Sequence, residues 1–300
     1  MKAIMFSGQG AQKIGMGKEF YDNFEICRET FDEASQALGM DIAKLCFEEA
    51  KLLNQTEYAQ PALLTVGMAS YRLLIERGFA PDALMGLSLG EYTALTAAGV
   101  FDFAAAVRLI HKRGKIMTKY AKEGGMLAAI GVENAILEEI CRKVSDEIGF
   151  VACANFNTPD QTVLAGEHAA LDACVPQIKI AGGKAMLLKV SGPFHTPLMA
   201  DAAERFSFEL SRLDAKEATL PVISNVSANL FCVESYVDIL SNHMVSPVRW
   251  TECVEKAMSM GVDTFIELGS GKTLVNFVKK IDGRTKVFAV ETMKCLEEIV

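Results

Sequence analysis

The sequence is short of the features that would send it to a membrane, a metal or a nucleic acid. No apolar run reaches the ~18 residues that a membrane span requires. The segment from Met1 to Gly8 passes straight into a strand-like run and a glycine turn, with no hydrophobic region of a signal peptide. A cytoplasmic protein with no membrane attachment is therefore expected. The eight cysteines (Cys27, Cys46, Cys141, Cys153, Cys174, Cys232, Cys253 and Cys295) include no C-x-x-C pair. Neither a metal site nor a disulfide framework is expected from them, and they read as reduced small hydrophobes. Positive charge is in deficit, 30 Lys and Arg against 38 Asp and Glu for a net charge of −8. That argues against nucleic acid as a partner, while leaving room for a local basic patch facing an acidic one.

Two nucleotide-binding patterns are each one glycine short. Gly8-x-Gly10 follows a strand over residues 2–6, but the third glycine of a dinucleotide fingerprint would fall on Lys13. Gly269-Ser270-Gly271-Lys272-Thr273 resembles a phosphate loop, but its first glycine would fall on Ile266. The first reads as a glycine-rich loop at the carboxyl end of a strand, where open α/β sheets bind ligands, and the second as a strand-to-helix turn near the same edge.

What is present begins with an ordinary globular composition, 50% hydrophobic and 23% charged over 300 residues. That length suits one large domain carrying an insertion, or two small domains. Residues 19–51 carry an amphipathic helical stripe of Phe20, Phe24, Cys27, Phe31 and Ala34. Gln60-Pro61 opens a second helix, apolar nearly all round and so expected to be buried. Asp102 is placed to cap a helix that includes Arg108, His111, Arg113, Lys115 and Met117. Between residues 124 and 190 the order becomes β-α-β-β-α-β, the split pattern of a ferredoxin-like unit. The predicted organisation is an α/β body over 1–123 and 191–300, with a small subdomain inserted over 124–190. A strand-like stretch at 222–226, a helix from Val248 to Met260 and a last sheet strand at 264–268 complete the body.

The chemistry centres on Gly86-Leu87-Ser88-Leu89-Gly90, a G-x-S-x-G between a predicted strand and a predicted helix. This is the spacing of a nucleophile elbow, in which a serine sits on a strained turn. Side chains at Gly86 or Gly90 would collide with the neighbouring strand or helix. The first amides of the helix then face the space in front of Ser88 and can hold an oxyanion. A serine needs a base, and there are four histidines, His111, His168, His195 and His243. His111 reads as a surface residue and His168 as part of a polar turn. His195 lies in a loop framed by glycine and prolines, where the chain re-enters the body. No acid is an obvious third member, so a backbone group is expected to orient the imidazole.

The chain resembles the malonyl-CoA:acyl carrier protein transacylases almost end to end. The resemblance rests on Phe6 to Gln12, Gln60 to Leu64, Gly86 to Tyr92, Arg113 to Met117, Ala154 to Gln161, Pro193 to Met199, Pro247 to Trp250 and Glu267 to Lys272. It implies an α/β-hydrolase-like body with a ferredoxin-like insertion. It makes Ser88 the acyl-accepting nucleophile, His195 its base, and the Gln9 and Leu89 amides the oxyanion hole. Arg113 would grip the free carboxylate of the malonyl group, with Phe194, Met117 and Asn157 also on the substrate. Phe194 would exclude an α-methyl branch, and the carbonyl that orients the imidazole would fall near His243. The partners implied are malonyl-CoA and an acidic acyl carrier protein, met by a basic rim drawn from Lys112, Lys115, Lys119, Lys122, Lys184 and Lys189. No cofactor or metal is implied, and a monomer is expected. Two positions depart from the family: Ser7 replaces a proline, and Leu87 stands where histidine is usual. The competing readings are a serine hydrolase or thioesterase, a polyketide-pathway acyltransferase acting in trans, and an idle interaction module.

Overall fold

The computed structural model describes residues 1–299. Two separate sheets organise it. The first is wholly parallel, in the order β2-β1-β7-β8, built from β1 (Lys2–Phe6), β2 (Ala83–Gly86), β7 (Thr264–Leu268) and β8 (Lys286–Val290). β1 lies at its centre with four of its five residues buried, so it reads as a continuous apolar run and not as an alternation. β8 lies beyond the strand expected to be the last. It is a half-buried edge strand whose short run carries little periodicity.

The second sheet is antiparallel, in the order β4-β5-β3-β6, from β3 (Gly125–Ile130), β4 (Val151–Thr158), β5 (Gln161–Gly166) and β6 (Lys184–Leu187). Helices α8 (Asn134–Glu147) and α9 (His168–Ile180) cover one face and enclose a core of their own around Leu127, Leu137, Leu164 and Leu171. This is the strand order of a ferredoxin-like unit. The predicted last strand, 184–190, stops at Leu187, and residues 188–190 run on as irregular chain into the site.

The amphipathic stretch 19–51 is four helices, not one: α1 (Lys18–Asn23), α2 (Glu25–Leu38), α3 (Ile42–Phe47) and α4 (Ala50–Leu53). Gly39, in the left-handed region at φ 65°, ends α2, and the Asp41 carboxylate caps α3 by accepting from the Lys44 amide. Next comes α5 (Thr56–Glu76), which begins before the Gln60-Pro61 pair predicted to open it. Pro61 therefore lies inside the helix, where it cannot donate to the Glu57 carbonyl one turn back. His111 takes up that carbonyl instead, at 2.9 Å through Nδ1. His111 is thus half-buried and engaged, not a free surface group as its basic surroundings suggested.

Helix α6 (Leu89–Ala97) leaves the elbow, and α7 (Phe103–Tyr120) follows with the predicted Asp102 cap in place, accepting from the Ala105 amide at 3.0 Å. Helices α10 (Ala200–Leu210), α11 (Tyr236–Asn242), α12 (Trp250–Ser259), α13 (Thr273–Ile281) and α14 (Met293–Glu297) complete the body. The strand-like stretch 222–226 contributes only single bridges, Val222 to Leu84 and Ile223 to Leu230. Among the described residues, no helix is long and apolar enough to cross a membrane.

Candidate active site

The two glycines of the elbow are required by contact. A Cβ on Gly86 would lie 2.1 Å from the Gly90 carbonyl group, and one on Gly90 would lie 2.1 Å from the Phe6 carbonyl oxygen. Only their absence lets the helix start directly against β1 and β2. Ser88 between them has φ 51° and ψ −102°. Among the described residues, three non-glycine residues have positive φ, namely Ser88, His195 and Ala228. Two of the three are the residues singled out for chemistry, which is where such strain concentrates.

The Ser88 hydroxyl and His195 Nε2 are 2.8 Å apart, and His195 Nδ1 lies 2.8 Å from the backbone carbonyl of His243. A carbonyl oxygen can only accept, so Nδ1 carries the proton and Nε2 presents its lone pair to the serine. The backbone amide of His195 is tied to the Met244 carbonyl at 3.1 Å, which fixes the ring from a second direction. No carboxylate takes part. Burial, and then the charge of Arg113, pull the His195 pKa down to about 4, while the carbonyls of His243 and Ser246 pull the other way. The imidazole is therefore neutral, in the form that accepts a proton, throughout the neutral range.

Arg113 is among the largest fully buried side chains, with 1% of its surface exposed. Its guanidinium sits 4.9 Å above the Tyr92 ring. Nη1 donates to Gln60 Oε1 at 2.8 Å, while Nε and Nη2 have no hydrogen-bond partner. Gln60 in turn donates to Gln9 Oε1 at 3.3 Å and to the Met117 sulfur at 3.4 Å. Gln9 donates onward to Thr56 at 3.1 Å. The loop after β1 is thereby tied to the arginine through α5.

These groups open on one cavity of about 820 Å³ between the two sheets. Ser88, His195, Arg113, Gln9, Met117, Phe194 and Asn157 all border it, as does Leu87. Asn157 Oδ1 is buried without a partner. Leu89, the first residue of α6, is fully buried, and its side chain is not part of the cavity lining. His243 contributes its backbone, while its ring lies in the interior against Tyr92 and His195. Its Nε2 is 3.7 Å from Glu91 Oε2. A second cavity of about 580 Å³ shares Gln9, Asn54, Lys189 and Val190 with the first and is bordered by Lys115, Lys119 and Lys189. Lys112, another candidate for the rim, is paired with Glu209 at 2.6 Å. His168 is exposed at the start of α9, outside the cavity lining.

Sequence reasoning assigned no role to Gln60, Glu91, Tyr92 or Asn225. Asn225 had a signal: it interrupts an apolar, strand-like run with a polar residue that strands disfavour.

A family model for the acyl transferase domain matches residues 4–288. The chain belongs to that family. A curated relative from Bacillus subtilis (strain 168), malonyl CoA-acyl carrier protein transacylase, is 42% identical over 300 residues, covering 98% of this chain and 95% of its own. The crystal structure of the protein of that name from Clostridium perfringens is 42% identical and superposes with a TM-score of 0.96 over 99% of this chain and 95% of that one. A third similar protein, at 36% identity and TM-score 0.96 over 99% and 97% of the two chains, is a malonyl-transacylase in complex with a type II polyketide acyl-carrier protein.

Proposed function

We propose that the protein transfers a malonyl group from malonyl-CoA to the phosphopantetheine thiol of an acyl carrier protein, through an ester on Ser88. One observation carries the choice of acyl group: a buried arginine with two donors unpartnered, facing the same cavity as the serine–histidine pair. A buried guanidinium without an anion is costly, and a carboxylate is its natural bidentate partner. Malonyl carries such a carboxylate on its free end, and acetyl does not.

His195 Nε2 takes the Ser88 proton as Oγ attacks the thioester carbonyl. The negative charge that forms on the carbonyl oxygen is received by the Leu89 and Gln9 amides. The carbon–sulfur bond breaks, and coenzyme A leaves with the proton from His195. The carrier thiol then gives its proton to His195 and attacks the malonyl-serine ester, which regenerates the Ser88 hydroxyl. The His243 carbonyl holds the imidazole in the tautomer both halves require. Every step uses groups the chain itself carries. We take the cleft to lie between the body, 1–123 with 191–300, and the inserted unit, 124–190. Lys115, Lys119 and Lys189 form the basic side on which an acidic carrier would approach.

The test is intact-protein mass within seconds of mixing with malonyl-CoA or acetyl-CoA, for the wild type and Ser88→Ala. A malonyl adduct on the wild type alone, discharged by added holo carrier protein, is expected. Release of free malonate at the rate of coenzyme A release, with no adduct accumulating, would make the protein a hydrolase.

A further inference from the structure

Ser88 adopts a backbone conformation that a residue with a side chain holds only when its surroundings enforce it. The enforcing group comes from 137 residues away. The Ser88 amide donates to Asn225 Oδ1 at 2.7 Å, and Asn225 Nδ2 donates to the Gly86 carbonyl at 2.8 Å. One carboxamide therefore spans the elbow from the residue before the turn to the nucleophile itself. Its orientation is dictated by its partners, because the reverse would set donor against donor and acceptor against acceptor.

Asn225 is itself fixed on both sides. It is fully buried, its amide donates to Glu91 Oε2 at 2.9 Å, and its carbonyl accepts from the Arg249 amide at 3.1 Å. Glu91 is the third residue after Ser88 on the same helix. The serine, Asn225 and Glu91 thus close a ring around the first turn of α6. Ala228, the remaining non-glycine residue of positive φ, lies in the same loop as Asn225, whose turn is closed by its amide on the Ser224 carbonyl.

We propose that Asn225 is a positioning residue of the nucleophile: its carboxamide clamps the Gly86–Ser88 turn so that the hydroxyl stays aimed at His195. A second consequence follows from the same bond. The Ser88 amide is occupied, so it is withheld from the oxyanion, which is left to the Leu89 and Gln9 amides. Aspartate in place of Asn225 would keep the acceptor for Ser88 but set an oxygen against the Gly86 carbonyl. Only its protonated form restores the donor.

The inference rests on the acyl-transfer reading for its substrate, so the experiment carries a substrate-independent arm. Asn225→Asp and Asn225→Ala are compared with the wild type for kcat and KM in malonyl transfer, for the rate at which a fluorophosphonate labels Ser88, and for Tm. Expected are a fall in kcat of about ten- to a hundredfold, KM within twofold, and labelling slowed in parallel. Asn225→Asp is expected to recover activity as the pH is lowered, whereas Asn225→Ala is not. A folded variant with kcat and labelling within twofold of wild type overturns the proposal. So does a loss of kcat matched by an equal rise in KM, or a failure of both variants to fold, which would assign Asn225 to stability alone. A wild type that labels at Ser88 yet takes no malonyl sinks the transfer reading while leaving the clamp to be judged by labelling.

Discussion

Replacing Arg113 with alanine separates acyl selectivity from acyl transfer. In the free protein its Nη1 is engaged by Gln60, while Nε and Nη2 are unpartnered in an environment that excludes solvent. A malonyl carboxylate would supply the missing acceptor. Hydrogen bonds to charged groups contribute about 1.5–3 kcal/mol each, so two of them are worth about 3–6 kcal/mol. At about 1.4 kcal/mol per tenfold, the variant should lose about a hundredfold or more in kcat/KM for malonyl-CoA. Acetyl-CoA gains nothing from the arginine and leaves it unpaired, so its rate should hold or rise. The measured quantity is the malonyl-to-acetyl ratio of adduct formation on Ser88 by intact mass. That ratio should fall by at least about two orders of magnitude. A variant that loses both substrates in equal proportion refutes the reasoning, for Arg113 would then be supporting the site through Gln60 and Gln9 without reading the carboxylate.

Three further predictions use other parts of the site. His195 is neutral in the folded protein down to about pH 4 but has an ordinary pKa of 6.5 when unfolded, so the unfolded chain binds the extra proton first. Its contribution to stability is complete above about pH 6.5 and declines as the pH falls toward 4, while acylation of Ser88 should stay flat from pH 8 to about 5.5; a Tm and pre-steady-state pH series checks both. Glu91 has the opposite sign. Burial raises its pKa to about 7, against which the Asn225 amide, Ser224 and Arg113 pull only in part, so its contribution is present below about pH 4.5 and is lost as the pH rises through 7. Glu91→Gln keeps an acceptor for the Asn225 amide and removes this loss, and its Tm relative to wild type should therefore climb between pH 5 and 8. Gly90→Ala places a methyl group 2.1 Å from the Phe6 carbonyl oxygen. It should destabilise by about 3 kcal/mol or more, seen as a lowered denaturant midpoint, and a Tm equal to wild type would mean that the helix can stand off the strand.

The features legible in the sequence were those whose physics is local. A serine on a tight strand-to-helix turn needs glycine two residues to either side, and the 2.1 Å approaches at Gly86 and Gly90 are the reason. An aspartate ahead of a helical run caps it, as Asp102 does. The β-α-β-β-α-β order between β3 and β6 follows from periodicity and turn residues alone. What escaped depends on the chain's return from far away. The start of α5 is not legible because proline usually opens a helix, and here the carbonyl it leaves free is taken by His111 from α7. The edge strand β8 was missed because a half-buried strand of five residues has little pattern to show. The orienting group of His195 is a backbone carbonyl, and carbonyls have no sequence signature; the resemblance to a family, not the residue pattern, pointed toward His243. Asn225 is the sharpest case. A polar residue within the strand-like run 222–226 sets Asn225 apart, but nothing near it in sequence says that a carboxamide is needed. The demand arises from Ser88: a strained amide and the carbonyl two residues before it present one donor and one acceptor side by side, and a carboxamide answers both without a change of protonation state. The strain that made the elbow recognisable in the sequence thus also dictates the identity of its remote partner, but only after the fold has brought the two together.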